Sequence, residues 1–402
     1  MKQNLILKWL RSLGPGLIVA ALVFGPSKMT ITSKLGAVYG YSLLWIIAVA
    51  IFFMILFTSM AARIGRATEQ SLLATITKKW GRTIGKLVGI GVFLVCVSFQ
   101  AGNSVGVGIA IGELTHTPKT IWIILFTLIA ITLLFFRSFY KVLEQLMIYL
   151  ILLMLLCFVI TLFFAKPDLG GVINGFVPAV PEGSHGLIIA FMASCFSIVG
   201  AFYNAYLVQE RRRTGAASDL KGSGSVTGII VLGLLSAIVL ISAAAVLHPK
   251  GIVVNSATDM SLALQPVFGS YAAGLFLIGL FAAAFSSIVG TASIGGTLLG
   301  EALGFGNNFS SRGVRVLITV VMIVGSAIAL IFGKLPLELI VLAQSVTIFI
   351  APAIGIAMYL IANDEKIMGQ NRNNLFFRVS GLLGLVIIIG LAVINIRQLF
   401  LS

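Results

Sequence analysis

Apolar residues fill long runs along this chain, and short charged or Pro/Gly-containing segments separate those runs. A helix of about 20 apolar residues is long enough to cross a membrane. The pattern therefore predicts an all-α integral membrane protein with eleven transmembrane helices. They cover about residues 14–39, 42–63, 84–112, 119–137, 139–165, 185–210, 225–247, 269–300, 312–333, 337–361 and 376–400.

Composition and charge support one transmembrane transporter domain over residues 1–402. The chain is 59% hydrophobic and 10% charged, which excludes an ordinary soluble domain. Its net charge of +15 is typical of nucleic-acid binding proteins, yet 20 of the 27 Lys and Arg residues fall on one predicted side. The positive-inside rule makes that side cytoplasmic, together with the N-terminus. We expect a multi-pass protein that is embedded in the lipid bilayer of the plasma (inner) membrane and has no nucleic-acid partner.

Two of the predicted helices contain breaks. The first has Gly25-Pro26-Ser27 at its centre, where the proline removes a backbone donor and disfavours helical geometry in the preceding residue. The sixth has Ser194, Ser197 and Gly200. These helices are the first members of two five-helix repeats, about 14–165 and 185–361, and an extra helix follows at about 376–400. Breaks at matching positions of two repeats indicate a transport site near the middle of the membrane.

Six short segments carry a resemblance to a known family over about residues 13–360. They are Gly14-Pro15-Gly16, GYSLLW at 40–45, ARIGRAT at 62–68, GFVPAVP at 175–181, YLVQER at 206–211 and LAQS at 342–345. Together they resemble the Nramp (natural resistance-associated macrophage protein) family of proton-coupled metal-ion transporters. The resemblance implies a LeuT-type fold with two inverted five-helix repeats and broken helices 1 and 6.

The sequence departs from the family at the positions that the resemblance assigns to the metal and to protons. The family's first-helix Asp and Asn ligands correspond to Gly25 and Lys28, and its sixth-helix Met corresponds to Ser197. Its second sixth-helix histidine corresponds to Asn204, and its third-helix acidic pair to Gln100 and Asn103. The tenth-helix glutamine is retained as Gln344. This pattern suggests a divergent bacterial-type branch that lacks the metal-binding motif.

Lys28 leads to the main functional hypothesis. An ammonium at the centre of a membrane helix costs about 2.5–3.5 kcal/mol on insertion scales, so such a lysine usually has a function. A bound anion at the exposed N–H groups of a broken helix would offset that cost. We therefore expect proton-coupled import, by alternating access, of a small organic anion, a di- or tricarboxylate such as citrate. The expected substrate-binding residues are Gly25, Ser27, Lys28, Thr30, Ser194, Ser197 and Gln344. Further residues expected along the pathway are Lys34, Gln100, Asn103, Asn204, Arg211, Arg212 and Arg213.

Other interpretations stay open at this point. Lys28 could form a structural ion pair with Glu144, and Gln100 and Asn103 could join helices by hydrogen bonds. The main alternative function is a transporter of divalent metal ions, such as Mg²⁺ or Mn²⁺, or of a metal–citrate complex. A membrane sensor that binds ligand without moving it is a third class. The sequence predicts no enzyme, no cofactor and no resident metal site, because no catalytic or metal-ligating cluster is visible.

Overall fold

The computed structural model of the chain describes residues 24–400 except 69, 136, 196–199, 201–204, 206–222, 307, 309–310 and 333–335. For residues 137–148, 195, 223–225, 336–346 and 398–400 only the course of the helix is described. The described residues form α-helices and short 3₁₀ turns, and none of them lies in a strand. The prediction of an all-α protein is therefore confirmed.

Sixteen α-helices make up the described part of the chain. In chain order, their bounds are α1 Pro26–Tyr39, α2 Leu44–Ala67, α3 Leu72–Trp80, α4 Arg82–Thr115, α5 Lys119–Leu133, α6 Arg137–Ala165, α7 Leu169–Asn174, α8 His185–Cys195, α9 Ser223–Val246, α10 Ala257–Ser261, α11 Gln265–Phe268, α12 Ala272–Leu303, α13 Arg312–Ile331, α14 Pro336–Asn363, α15 Glu365–Met368 and α16 Leu375–Phe400. The short helices α3, α7, α10, α11 and α15 lie between the predicted membrane helices.

Six stretches of the described residues are long and apolar enough to cross a membrane. The part of α14 at Thr347–Asn363 passes the same test only when joined to the segment Glu365–Asn371, and the chain bends by 67° between the two. Three shorter apolar helices lie at 119–133, 149–165 and 185–194. The chain is thus a multi-pass membrane protein, and the count of eleven spans stays a prediction because parts of the first and sixth spans lie outside the described residues.

The predicted break in the first span is the start of helix α1. Gly25 precedes the helix with φ −79° and ψ −178°, an extended conformation that any residue can adopt, and Pro26 occupies the first turn. Proline suits that position because its missing N–H would have no partner inside the helix. The helix ends at Gly40, whose φ of 58° belongs to the left-handed region that favours glycine.

Glycines let the helices around α1 approach one another closely. A Cβ added to Gly36 would collide with the carbonyl oxygen of Leu240 on α9 and lie 2.9 Å from Ala243 Cβ. A Cβ added to Gly106 on α4 would lie 2.6 Å from Pro26 Cγ. Small residues at crossings are the usual way for membrane helices to pack, since lipid provides no hydrophobic force between them. The start of α1 is therefore held against α4 by direct backbone proximity.

Candidate functional site

The start of α1 faces neutral oxygen atoms from two other helices. A Cβ built on Gly25 would lie 3.4 Å from Ser287 Oγ on α12 and 3.7 Å from Asn103 Oδ1 on α4. Both side chains are buried. We call the space bounded by Gly25, Asn103 and Ser287 the α1 break site. It offers an amide and a hydroxyl oxygen next to the place where the chain leaves helical geometry.

Lys28 lies in the first turn of α1 and its side chain reaches α8. Its side chain is 2% exposed, and Nζ lies 5.5 Å from the centre of the Phe191 ring on α8. The face of an aromatic ring attracts a cation, and the attraction grows when both groups are withdrawn from water. The ammonium is thus partly stabilised by the protein itself.

The other hydroxyl groups on these two helices fall into two classes. Ser194 Oγ donates to Phe191 O at 2.7 Å, and Thr32 Oγ1 donates to Lys28 O at 2.6 Å, so both bond to their own helices. The hydroxyls of Thr30 and Ser33 are buried and have no hydrogen-bond partner among the described residues. Since buried polar groups are normally bonded, these two hydroxyls have hydrogen-bonding capacity that no described residue uses.

Gln100 and Asn103 have different surroundings although both lie on α4. Asn103 belongs to the α1 break site, whereas Gln100 packs against α13, where a Cβ on Gly325 would lie 2.5 Å from Gln100 Cβ and Cγ. Neither polar atom of the Gln100 amide has a partner among the described residues. The structure therefore separates two residues that the sequence analysis treated together.

A chain of three hydroxyls lies next to Gln100. Ser104 and Ser326 are 3.0 Å apart between their Oγ atoms, and Ser326 Oγ is 2.7 Å from Thr127 Oγ1. All three side chains are buried, and they join α4, α13 and α5. They act as helix-to-helix hydrogen bonds of the kind expected inside a membrane.

The remaining predicted site residues are only partly placed. Ser27 is buried near the start of α1, and Lys34 is half-buried two turns further along it. Gln344 belongs to α14, but its side chain lies outside the described part. The side chain of Glu144, the proposed structural partner of Lys28, also lies outside it, as do Ser197, Asn204, Arg211, Arg212 and Arg213.

Two residues of this region, Ser287 and Phe191, were not predicted from the sequence. Ser287 follows Ser286 in an otherwise apolar run, and such a pair of hydroxyls inside a predicted span is a signal that could have been used. Phe191 gives no such signal because it is one of 28 phenylalanines. Its contact with Lys28 depends on how α1 and α8 are oriented in the fold.

Comparison with known proteins identifies relatives over nearly the whole chain. The profile of the family described as "Natural resistance-associated macrophage protein-like" (Nramp) matches residues 16–398. The divalent metal cation transporter MntH of Caldanaerobacter subterraneus subsp. tengcongensis is 27% identical over 391 residues, covering 94% of this chain and 90% of that protein. The protein of the same name from Bacillus subtilis is 27% identical over 405 residues, covering 96% of this chain and 92% of the relative.

Solved structures resemble the fold over a similar range. The manganese transporter of Eremococcus coleocola superposes with a TM-score of 0.79 at 19% identity, covering 96% of this chain and 86% of that one. Mhp1, a transporter of the nucleobase-cation-symport-1 family, gives a TM-score of 0.56 at 15% identity, covering 97% of this chain and 94% of that one. The fold is therefore the LeuT-type fold expected from the sequence.

These relatives overturn the expectation of organic-anion import. They are named as divalent metal cation transporters, so import of a di- or tricarboxylate such as citrate, and a citrate-like anion as partner, were wrong predictions. The error came from treating Lys28 as a charge that only a bound anion could satisfy. The Phe191 ring provides a partner inside the protein. The amide oxygen of Asn103 and the hydroxyl oxygen of Ser287, moreover, carry lone pairs that can coordinate a cation.

Proposed function

This chain belongs to the Nramp family, and from that premise we propose that it is a secondary transporter whose cargo is a divalent metal cation. The observation that carries the proposal is the α1 break site, where Asn103 Oδ1 and Ser287 Oγ approach Gly25. Oxygen atoms are the ligands that hard cations such as Mg²⁺ prefer, and they also suit Mn²⁺. We infer that the metal binds between these oxygens at the start of α1.

The donor set implies that the bound cation keeps part of its water. Asn103 and Ser287 are neutral, and Gly25 occupies the position at which the family resemblance implies a carboxylate. Mg²⁺ gives up water reluctantly and is usually held through one or two carboxylates while retaining several waters. With no carboxylate at Gly25, the cation would therefore bind as a largely hydrated ion.

Lys28 sets an upper limit on the affinity. Its buried ammonium lies on the same helix as Gly25, less than one turn away, and repels any cation at the α1 break site. The contact with Phe191 keeps this charge inside the protein without requiring an anion. We therefore expect weak binding of the metal, which suits a cargo present at high concentration.

We propose that transport proceeds by alternating access, because the chain has a LeuT-type fold. Helices α1 and α8 belong to the two spans in which the sequence predicts breaks, and rocking of such helices against the rest of a LeuT-type fold would open the site to each side in turn. The excess of Lys and Arg on one side supports a cytoplasmic N-terminus in the plasma membrane. Among the described residues, no three His, Cys, Asp or Glu side chains converge on one point.

Uptake into proteoliposomes tests the proposal. Purified protein is reconstituted with a metal-sensitive dye inside the vesicles, and Mn²⁺ or Mg²⁺ is added outside with and without a proton gradient. We expect saturable influx that depends on the protein, and the gradient arm reports whether protons contribute. Saturable binding without influx under either condition would indicate a sensor. Absence of both binding and influx would refute metal transport.

Two neighbouring residues of α4 provide matched variants. Asn103→Leu removes an oxygen ligand from the α1 break site and keeps the number of side-chain heavy atoms, and we expect it to raise the half-saturation concentration of the metal. Ser104→Ala removes a hydroxyl that faces Ser326 instead, so it serves as the control and should leave half-saturation unchanged. Equal effects of the two variants would contradict the assignment of Asn103 to the metal.

A further inference from the structure

A group of arginines lies where α2 ends and α16 begins. Arg63 Nη2 donates to Asn373 Oδ1 at 2.6 Å, and the central carbon of its guanidinium lies 3.9 Å from the centre of the Phe377 ring. The two ends of this hydrogen bond are 310 residues apart in the chain. The stacking and the hydrogen bond fix the plane of the guanidinium.

A second guanidinium converges on the same residue. Arg378 Nε donates to Asn373 O at 3.1 Å, so two positive charges share one neutral, buried partner. Arg63 Nε is itself buried and has no partner among the described residues. Arg66 lies three residues after Arg63 on α2, on the same helix face.

The nearby carboxylates of the described chain are engaged by other cations. Asp364 forms an ion pair with Lys79, and Glu365 pairs with Arg372 at 2.7 Å. Neither pair includes Arg63 or Arg378. Among the residues that the structure describes, no carboxylate pairs with Arg63 or Arg378, and their shared partner Asn373 is neutral. An anionic ligand would neutralise this charge.

Apolar side chains border the arginines on the outer surface of α16. Leu375, Phe376 and Val379 are all exposed, and they lie at the start of a helix that is long and apolar enough to cross a membrane. The excess of basic residues makes this the cytoplasmic side of the protein. A ligand here would have its charge against the arginines and an apolar part along α16.

We propose that the surface where α2 ends and α16 begins binds the phosphate of an anionic phospholipid headgroup, with Arg63 and Arg378 as its principal contacts. The planar fork of N–H groups on each guanidinium matches the oxygens of a phosphate. Basic pockets between helices on the cytoplasmic side are typical of sites for anionic lipids. The inference does not depend on the transported cargo.

Native mass spectrometry of the detergent-purified protein tests this site. The protein is titrated with phosphatidylglycerol and with phosphatidylcholine of the same acyl chains, and in a separate arm with inorganic phosphate. We expect phosphatidylglycerol to bind at least about tenfold more tightly than phosphatidylcholine, because each arginine near an anionic headgroup adds to the attraction. Arg63→Gln with Arg378→Gln should abolish that preference.

Arg315→Gln is the matched control. Arg315 also stacks on an aromatic ring, 5.6 Å from the centre of Phe135, at the start of a membrane helix, and its loss should leave the preference intact. If the double variant shows no thermal unfolding transition in neutral lipid, it is not folded and Arg378→Gln is tested alone. This single variant must still reduce the preference for phosphatidylglycerol about threefold. An unchanged preference in the folded variant overturns the site. Competition by millimolar inorganic phosphate that displaces the lipid overturns the assignment to lipid.

Discussion

Replacing Gly25 by aspartate should convert the α1 break site into a tighter metal site. Gly25 has extended backbone angles open to any residue, and a Cβ there would make ordinary contacts of 3.4 and 3.7 Å with Ser287 and Asn103. Aspartate is also among the preferred residues immediately before a helix. We therefore expect Gly25→Asp to fold, and to place a carboxylate beside the proposed cation.

The expected gain follows from the added charge. A carboxylate roughly 4 Å from a divalent cation contributes about 2 kcal/mol even at the dielectric constant of bulk water. That energy corresponds to about a 30-fold lower dissociation constant. The new carboxylate stands three residues before Lys28, however, and the two groups attract each other on one face of the helix turn. The full gain is therefore expected only when Lys28 is also replaced, as in Gly25→Asp with Lys28→Met.

Calorimetric titration with Mn²⁺ measures this effect. Gly25→Asn has the same shape without the charge and is the matched control. We expect the dissociation constant to fall in the order Gly25→Asn, Gly25→Asp, then the double variant. If neither aspartate variant binds Mn²⁺ more tightly than Gly25→Asn, the cation does not bind at the start of α1 and the proposed site is wrong.

Three further predictions concern charge, packing and pH. Lys28→Met should lower the dissociation constant of Mn²⁺ five- to tenfold, since an ammonium roughly 7 Å from the cation weakens its binding by about 1 kcal/mol. An unchanged dissociation constant in calorimetry would mean that the charge of Lys28 does not act on the site. Gly36→Ala should destabilise the protein by about 1–3 kcal/mol and lower its melting temperature, because the added Cβ has no room against α9. Gly186→Ala is the control: open space surrounds this glycine, so the melting temperature should stay unchanged. The hydrogen bond from Lys79 holds the pKa of Asp364 below its ordinary value of 3.8. The pair therefore stabilises the protein at pH values above 3.8, and this stabilisation is lost as the pH falls through the lowered pKa. The melting temperature of the Asp364→Asn variant should therefore fall less on acidification than that of the wild type. An equal fall in both proteins would count against a role for the pair.

Much of the helical architecture followed from the order of residues. The predicted span at 42–63 corresponds to α2, Leu44–Ala67, and the span at 84–112 corresponds to α4, Arg82–Thr115. Apolar runs bounded by charged residues determine where membrane helices begin and end, because the membrane admits few charges. The break at Gly25 was equally visible, since proline restricts the chain whatever surrounds it.

The chemistry of the site could be predicted only in part. Gly25, Lys28 and Asn103 were predicted as candidate site residues from the sequence and stay predictions. The interpretation of one buried charge as the sign of the cargo was wrong. A local pattern shows that Lys28 lies inside the membrane. It does not show which group faces the ammonium, because that group, Phe191, comes from a helix far along the chain.

The sequence by itself determined that this chain is a helical membrane protein with interrupted helices, because hydrophobicity and proline geometry act locally. Only the tertiary structure decided which polar groups meet: Asn103 and Ser287 at Gly25, and Arg63 at Asn373, 310 residues away. Such meetings depend on the rotation of each helix and on how closely its glycines let it approach its neighbours. Those quantities are set by packing of the whole bundle, so no local run of residues specifies them.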